Sequence, residues 1–157
     1  MPLVRIDAMH CDTPRLEALG RAVHEALGET MGFPDEDHFQ ILTGHDGRQG
    51  VLRHGTYLGV RRDDGIVYVA ITLREGRPDA QKQALYRRIA ELAEEYADTE
   101  PRNMFVVLTE NRNGDWSLGN GEASTCGDGG VRLSACPEPP AAGPQRRPAA
   151  VRPFFGR

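Results

Sequence analysis

The chain carries one pattern twice, and this internal repeat restricts its possible folds more than any other feature. The apolar segment FQILT at 39–43 recurs as FVVLT at 105–109. A helix-like pattern precedes each copy, and a strand-like pattern precedes each helix. Self-similarity of this kind indicates one supersecondary unit used twice. We therefore expect two β-α-β units within the 157 residues.

The two halves open with strand patterns. Residues 3–8 alternate between two faces with a period of two, which is typical of a β-strand. Their counterpart at 66–73 is almost entirely apolar, as expected for a strand that is covered on both faces.

Helix starts and stops are also marked. Thr13 is the predicted N-cap of the first helix, Pro14 its first helical residue and Gly32 its stop. The second helix is predicted to begin at Pro78 and Asp79. Apolar residues recur at helical spacing along both segments, so each helix has one face to bury.

These elements predict the fold class. A right-handed crossover makes the two strands of each unit parallel. Two units, at about 2–46 and 66–110, then share one sheet. The predicted class is α/β (α+β), with a four-stranded mixed sheet and two helices on one face. We assign residues 1–126 to this domain, of which 111–126 form a short arm.

The rest of the chain, 127–157, is rich in Gly, Pro and Arg. It has too few apolar groups to form a core, so we predict a disordered tail. Its arginines are compatible with a solvated tail or with a weak contact to an anionic surface.

Composition narrows the function classes. A formal net charge of −4 argues against binding nucleic acid. No apolar run approaches the roughly 20 residues that span a bilayer, and no signal peptide is recognisable, so we expect a cytoplasmic protein without a membrane partner. Cys11, Cys126 and Cys136 lack metal-ligand spacing and are expected to be free thiols. We expect neither a metal nor a cofactor.

Pro2 is the first candidate functional residue. Removal of the initiator Met1 before a small residue would leave a free proline amine. An α-amino group titrates near neutral pH, so it can serve as a general base, a general acid or an imine-forming nucleophile. Most Met-Pro starts are catalytically silent, so the surrounding motifs decide its meaning.

Those motifs resemble the tautomerase superfamily. The stretch EGRPDAQK at 75–82 is similar to the Glu-Gly-Arg-x-x-x-Gln-Lys signature of 4-oxalocrotonate tautomerase. The stretches PDEDHFQILT at 34–43, EN at 110–111 and DWSLG at 115–119 are closest to the malonate semialdehyde decarboxylase group. The resemblance spans roughly residues 2–123 and implies a fused two-unit member, which in this family is typically a trimer.

The resemblance also implies site residues. Pro2 matches the catalytic proline, Asp37 the active-site aspartate and Arg77 the arginine that holds the substrate carboxylate. Each has a plainer interpretation as well. Arg77 is also compatible with a surface arginine at a helix start, and Asp37 with a cap at a strand end.

Three further positions follow from the resemblance, with departures. The second arginine usual in the group is absent at Pro78 and Asp79, and Arg74 is the candidate replacement. Trp116 matches a pocket-lining aromatic, although it can also anchor the arm on a neighbouring subunit. Leu118 stands where the group usually has a second aromatic.

The leading hypothesis is therefore an enzyme that performs proline-based acid/base chemistry on small carboxylate-bearing oxo acids or enols. Malonate semialdehyde decarboxylation, keto–enol tautomerisation and hydration of an unsaturated acid all fit the same residues. The alternative is a non-catalytic assembly protein, or one that acts through partners, on the same scaffold. We expect a homotrimer in either case, because the second face of the sheet carries apolar residues that one subunit leaves open.

Overall fold

In a computed structural model of the chain, which describes residues 1–48 and 50–123, strands and helices follow one another in the predicted order. The tail predicted at 127–157, together with Cys126 and Cys136, lies outside the described residues. The main elements are β1 (Leu3–Met9), α1 (Thr13–Met31), β2 (Gln40–His45), β3 (Val67–Arg74), α2 (Asp79–Ala97) and β4 (Met104–Asn111).

The four strands form one mixed sheet in the order β2-β1-β3-β4. β1 pairs in parallel with β2, and β3 in parallel with β4, as right-handed β-α-β units require. The two units join through the antiparallel pair of β1 and β3. The predicted fold class is confirmed.

The first helix is capped one residue earlier than predicted. Asp12, not Thr13, is the N-cap: its backbone is extended and its carboxylate accepts the amide of Arg15 at 3.1 Å. Asp and Thr are both good capping residues, so adjacent candidates cannot be ranked from their identity alone. Gly32 ends the helix as predicted, with the left-handed φ of 69° that glycine tolerates.

The core lies on the helix-covered face of the sheet. Alternate residues of β1 and β3 point into it and are buried, and they pack on the apolar stripes of α1 and α2. Its largest fully buried side chains include Ile6, Leu19, Ile71, Leu85 and Ile89.

The other face of the sheet is open, so in a single subunit β3 is covered on one face rather than two. Leu3, Ile41, Phe105 and Val107 lie on this face and are 38–47% exposed. Tyr68 and Phe105 pack together there, with ring centroids 5.2 Å apart.

After β4, the arm begins with a 3₁₀ turn at Asn113–Asp115, and a bridge between Ser117 and Ala123 then folds it back on itself. None of the described helices is long and apolar enough to cross a membrane.

Candidate functional site

Strand directions gather the predicted site residues at one end of the sheet. β1 is parallel to β2 and antiparallel to β3, so the amino ends of β1 and β2 meet the carboxyl ends of β3 and β4. The register places Val4 beside Gln40, and Arg74 beside Asn111. We call this the first end of the sheet, and the opposite one the second end.

The chain terminus lies beside Asp37 at the first end. The amine of Met1 is 3.3 Å from Asp37 Oδ2, and these side chains are 19% and 29% exposed. The amide of Asp37 donates to Pro34 O at 3.0 Å, which fixes the turn that presents the carboxylate. Pro2 is buried and lies immediately before β1. While Met1 is attached, the nitrogen of Pro2 is an amide, and removal of Met1 makes it the terminal amine.

Arg77 reaches the same end from the loop after β3. Gly76 in this loop has a φ of 113°, which an L side chain rarely adopts. The half-buried Arg77 donates from Nη1 to Arg74 O at 3.0 Å, and its guanidinium lies 5.0 Å from the centroid of the Phe33 ring. Phe33 precedes the Pro34 turn that carries Asp37, so Arg77 packs against the segment leading to that carboxylate.

Arg74, the predicted replacement for a second arginine, is the last residue of β3 and is half-buried. Its Nη1 donates to Asn113 Oδ1 at 3.2 Å. This contact ties β3 to the 3₁₀ turn of the arm.

The arm carries the two remaining predicted residues. Trp116 is half-buried, and its indole Nε1 donates to Asn111 Oδ1 at 2.6 Å. Leu118 is 59% exposed and lines a shallow depression formed with other residues of the arm, among them Asn120 and Glu122. Trp116 is thus held against the end of β4, whereas Leu118 lies open on the arm.

Residues without a predicted role also hold this end together. Lys82 Nζ donates to Glu110 Oε2 at 2.7 Å, and this bond is the main reason that the pKa of Glu110 lies below its usual range. The backbone amides of Arg77 and Gly76 also lower the pKa of Glu110. Glu110 and Asn111 are adjacent in β4, so their side chains point to opposite faces. The sequence signal for both was the Glu-Asn pair itself, but its contacts depend on the register of β4.

The first end thus combines a terminal amine, a carboxylate and a guanidinium. Such a set can bind a small carboxylate, stabilise negative charge on an oxygen and transfer a proton. In the described part of the chain, no group of three or more His, Cys, Asp or Glu side chains is placed to hold a metal ion.

Comparison with known proteins gives consistent matches. The family model described as "Tautomerase enzyme" matches residues 37–119. YusQ, a probable tautomerase of Bacillus subtilis (strain 168), is 33% identical over 127 residues, which cover 78% of this chain and 97% of that protein.

Two solved structures are similar over most of their length. Malonate semialdehyde decarboxylase, whose crystal structures were related to its decarboxylase and hydratase activities, has 29% identity and a TM-score of 0.67. The match covers 76% of this chain and 92% of that chain. A symmetric trimer of wild-type fused 4-OT, at 20% identity, shares the fold with a TM-score of 0.62, and the match covers 78% of this chain and 95% of that one.

Proposed function

The chain belongs to the tautomerase family, and from this premise we propose that it transfers protons on small, carboxylate-bearing oxo acids and enols through the amine of Pro2. The observation that carries the proposal is the 3.3 Å contact between the chain's terminal amine and Asp37, at the end of the sheet where Arg77 also lies. The amine beside Asp37 belongs to the terminal residue of the chain, and Pro2 becomes that residue once Met1 is removed.

Each group has a distinct proposed role. In enol ketonisation, the ammonium form of Pro2 delivers a proton to carbon while the enol hydroxyl releases its proton to water. In the reverse direction, the neutral amine accepts the proton from carbon and the oxygen takes one from water. Arg77 binds the substrate carboxylate or stabilises negative charge on the carbonyl oxygen. Asp37 orients the substrate or activates a water that adds to it. Trp116 forms an apolar wall beside them.

Within this class, decarboxylation of a 3-oxo acid such as malonate semialdehyde is the first candidate reaction. Cleavage of the carbon–carboxylate bond releases CO2 and leaves its electron pair as an enolate, which takes a proton from the ammonium of Pro2. Support comes from the 29% identity to malonate semialdehyde decarboxylase. Simple tautomerisation and hydration also use the amine of Pro2 and the guanidinium of Arg77, and they are measured alongside it.

We also propose that the active form is a homotrimer. The open face of the sheet carries Leu3, Ile41, Phe105 and Val107, which lie around the ion pair of Arg5 and Asp7. Several large apolar side chains exposed on one sheet face favour a protein–protein contact there. Packing three such faces around a closed axis would cover them without leaving open ends. The likeness to a fused 4-OT trimer supports this number. Light scattering should give three times the 17.3 kDa subunit mass, and a concentration-independent monomer would contradict it.

The test of the activity compares the natural chain with Pro2→Ala on a panel of small 3-oxo acids, 2-oxo acid enols and unsaturated acids. Mass spectrometry of the amino terminus first establishes that Met1 is absent. We expect turnover of at least one class, and a clear loss in Pro2→Ala because a primary amine on a flexible residue replaces the ring nitrogen. No turnover of any member would favour the alternative, a non-catalytic assembly protein. Equal rates for the two proteins would remove Pro2 from the mechanism.

A further inference from the structure

Glu110 links two elements that the proposed function treats separately. Its carboxylate accepts Lys82 Nζ at 2.7 Å, with these side chains 28% and 21% exposed. The register of the sheet places Glu110 beside Leu73 in β3, and the amide of Glu75 donates to Asn111 O at 2.9 Å. The backbone amides of Arg77 and Gly76 also lower the pKa of the Glu110 carboxyl. Glu110 therefore ties the first turn of α2 to β4, beside the end of β3 from which the loop of Arg77 starts, so both ends of this short loop are held.

This loop needs such an anchor. Gly76 adopts a backbone conformation open mainly to glycine, which leaves the loop without a side chain of its own to pack at that position. Gln81 fixes the start of α2 by donating from Nε2 to Thr30 O at 2.8 Å, at the end of α1. Lys82 joins this fixed helix to Glu110 in β4. The pair therefore holds the helix end of the loop at a fixed distance from the sheet.

We propose that Glu110, held in place by Lys82, is a positioning residue that orients Arg77 toward the carboxylate of the substrate. The inference deepens the proposed function and rests on it. Glu110 acts through the loop, so it is expected to change how well the acid is bound rather than the proton transfer itself. It also gives a role to the Gln-Lys part of the 75–82 motif.

Magnitudes separate this role from a merely structural one. The Lys82–Glu110 pair lies near the surface with its side chains partly shielded, and a single ion pair near the surface contributes modestly to stability. A displacement of about 1 Å in a substrate-binding group can cost on the order of a hundredfold in rate. The same ion pair is therefore expected to have a small effect on unfolding and a large one on kcat/KM for the acid, which takes the form of a higher KM where only binding of the carboxylate is weakened.

The experiment measures kcat and KM for a small 2-oxo acid enol and for the same enol as its methyl ester. In Glu110→Gln and Lys82→Met, KM for the acid should rise by about ten- to a hundredfold while kcat changes little. The ester should be unaffected, because it offers no carboxylate to Arg77. Lys82→Arg should restore the KM, since arginine can also pair with Glu110.

A double-mutant cycle tests whether Glu110 affects substrate binding through Arg77. In the Arg77→Ala background, Glu110→Gln should cause no further loss, because residues that act through one another are not additive. The matched control is Glu29→Gln, which removes an ion pair to Arg88 (2.5 Å) between the two helices. This control should leave KM unchanged. Thermal unfolding of every variant is recorded beside the kinetics.

Equilibrium binding of pyruvate by titration calorimetry gives a readout without turnover. If Glu110→Gln binds pyruvate as the natural chain does, or weakens binding equally with and without Arg77, the positioning role is wrong. If turnover is insensitive to Pro2→Ala while pyruvate affinity follows the predicted cycle, the proposed acid/base role fails alone. A natural chain that neither reacts with the acids nor binds pyruvate overturns both proposals.

Discussion

The two ends of the sheet are built by the same pair of β-α-β units, but they differ in chemistry. At the first end, the amine of Met1 pairs with the half-buried Asp37. At the second end, the chain runs continuously into β3. Asn103, which the alignment of FQILT with FVVLT pairs with Asp37, donates from Nδ2 to Asp63 Oδ1 at 2.8 Å. Asn103 is only 3% exposed. The position that holds an accessible carboxylate in one unit holds a buried amide in the other.

The cations differ in the same way. Arg102 at the second end pairs with Asp63 and, through Nε at 2.5 Å, with Glu100, so its charge is used within the local network. Arg77 at the first end stacks on Phe33 and donates to a backbone carbonyl. One unit supplies the amine and the carboxylate, and the other supplies the guanidinium. A complete set of groups therefore requires both halves, even though each half has the same fold.

The largest expected effect on the rate comes from replacing the terminal amine of the first end with an amide, as in the continuous chain of the second end. A chain with one glycine placed before Pro2 has an amide at the position of the proposed catalytic amine. Because the terminal proton-transfer group is lost, we expect the rate to fall by ~10²–10⁴. Met1 already occupies this position without disturbing β1, so the unfolding temperature should stay close to that of the natural chain. Full activity of the extended chain would refute the role of the amine.

Removing the cation from each end is the next comparison. Arg77→Ala should lower kcat/KM for a carboxylate substrate by about ten- to a hundredfold, the usual cost of losing a hydrogen bond to a charged group. Arg102→Ala is the matched variant at the second end and should leave these constants unchanged. Steady-state kinetics on both proteins decides the matter, and equal losses would show that Arg77 has no special role.

Asp37→Asn should separate the possible reactions. If Asp37 orients a carboxylate or activates water, decarboxylation or hydration should fall about tenfold or more, because acid/base groups usually contribute at least that much. Ketonisation of an enol should fall less, since it needs only proton transfer and charge stabilisation. Parallel losses in all reactions, with an unchanged circular dichroism spectrum, would argue against this division.

The equivalent change at the second end should affect folding instead. Asn103 accepts the amide of Asp63 at 3.1 Å and donates to the Asp63 carboxylate, so Asn103→Ala removes two partly buried hydrogen bonds. The loss should be about 1–3 kcal/mol in the free energy of unfolding, with rates per folded molecule unchanged. Urea unfolding at neutral pH measures this, and a loss of activity without a loss of stability would be the opposite of our expectation.

The fold was predictable from the sequence because its signals are local and repeated. Alternation in β1, the stop at Gly32 and the proline at the start of α2 each follow from backbone chemistry. The family was recognisable from the motifs at 34–43, 75–82 and 115–119. The contacts at the first end were not predictable in this way, because the pairing of Lys82 with Glu110 joins residues 28 positions apart and depends on strand register. The choice of Asp12 over Thr13 as cap was likewise decided by backbone geometry rather than residue type.

The smallest expected effect is on the pH dependence of stability at the second end. The pKa of Asp63 lies below its usual range, first because the amide of Gly65 donates to it at 2.9 Å and then because of the amide of Asn103. A carboxyl group with a lower pKa in the folded chain stabilises the fold wherever it is ionised, which is above its unfolded pKa of about 3.9. That contribution disappears as the pH falls from about 4 through the lower folded-state pKa. Asp63→Asn keeps an acceptor oxygen but has no charge, so its unfolding temperature should lie below that of the natural chain at pH 7 and approach it near pH 2. A separation that stays constant over this range would show that ionisation of Asp63 contributes nothing, and that the second end depends on the shape of its hydrogen bonds alone.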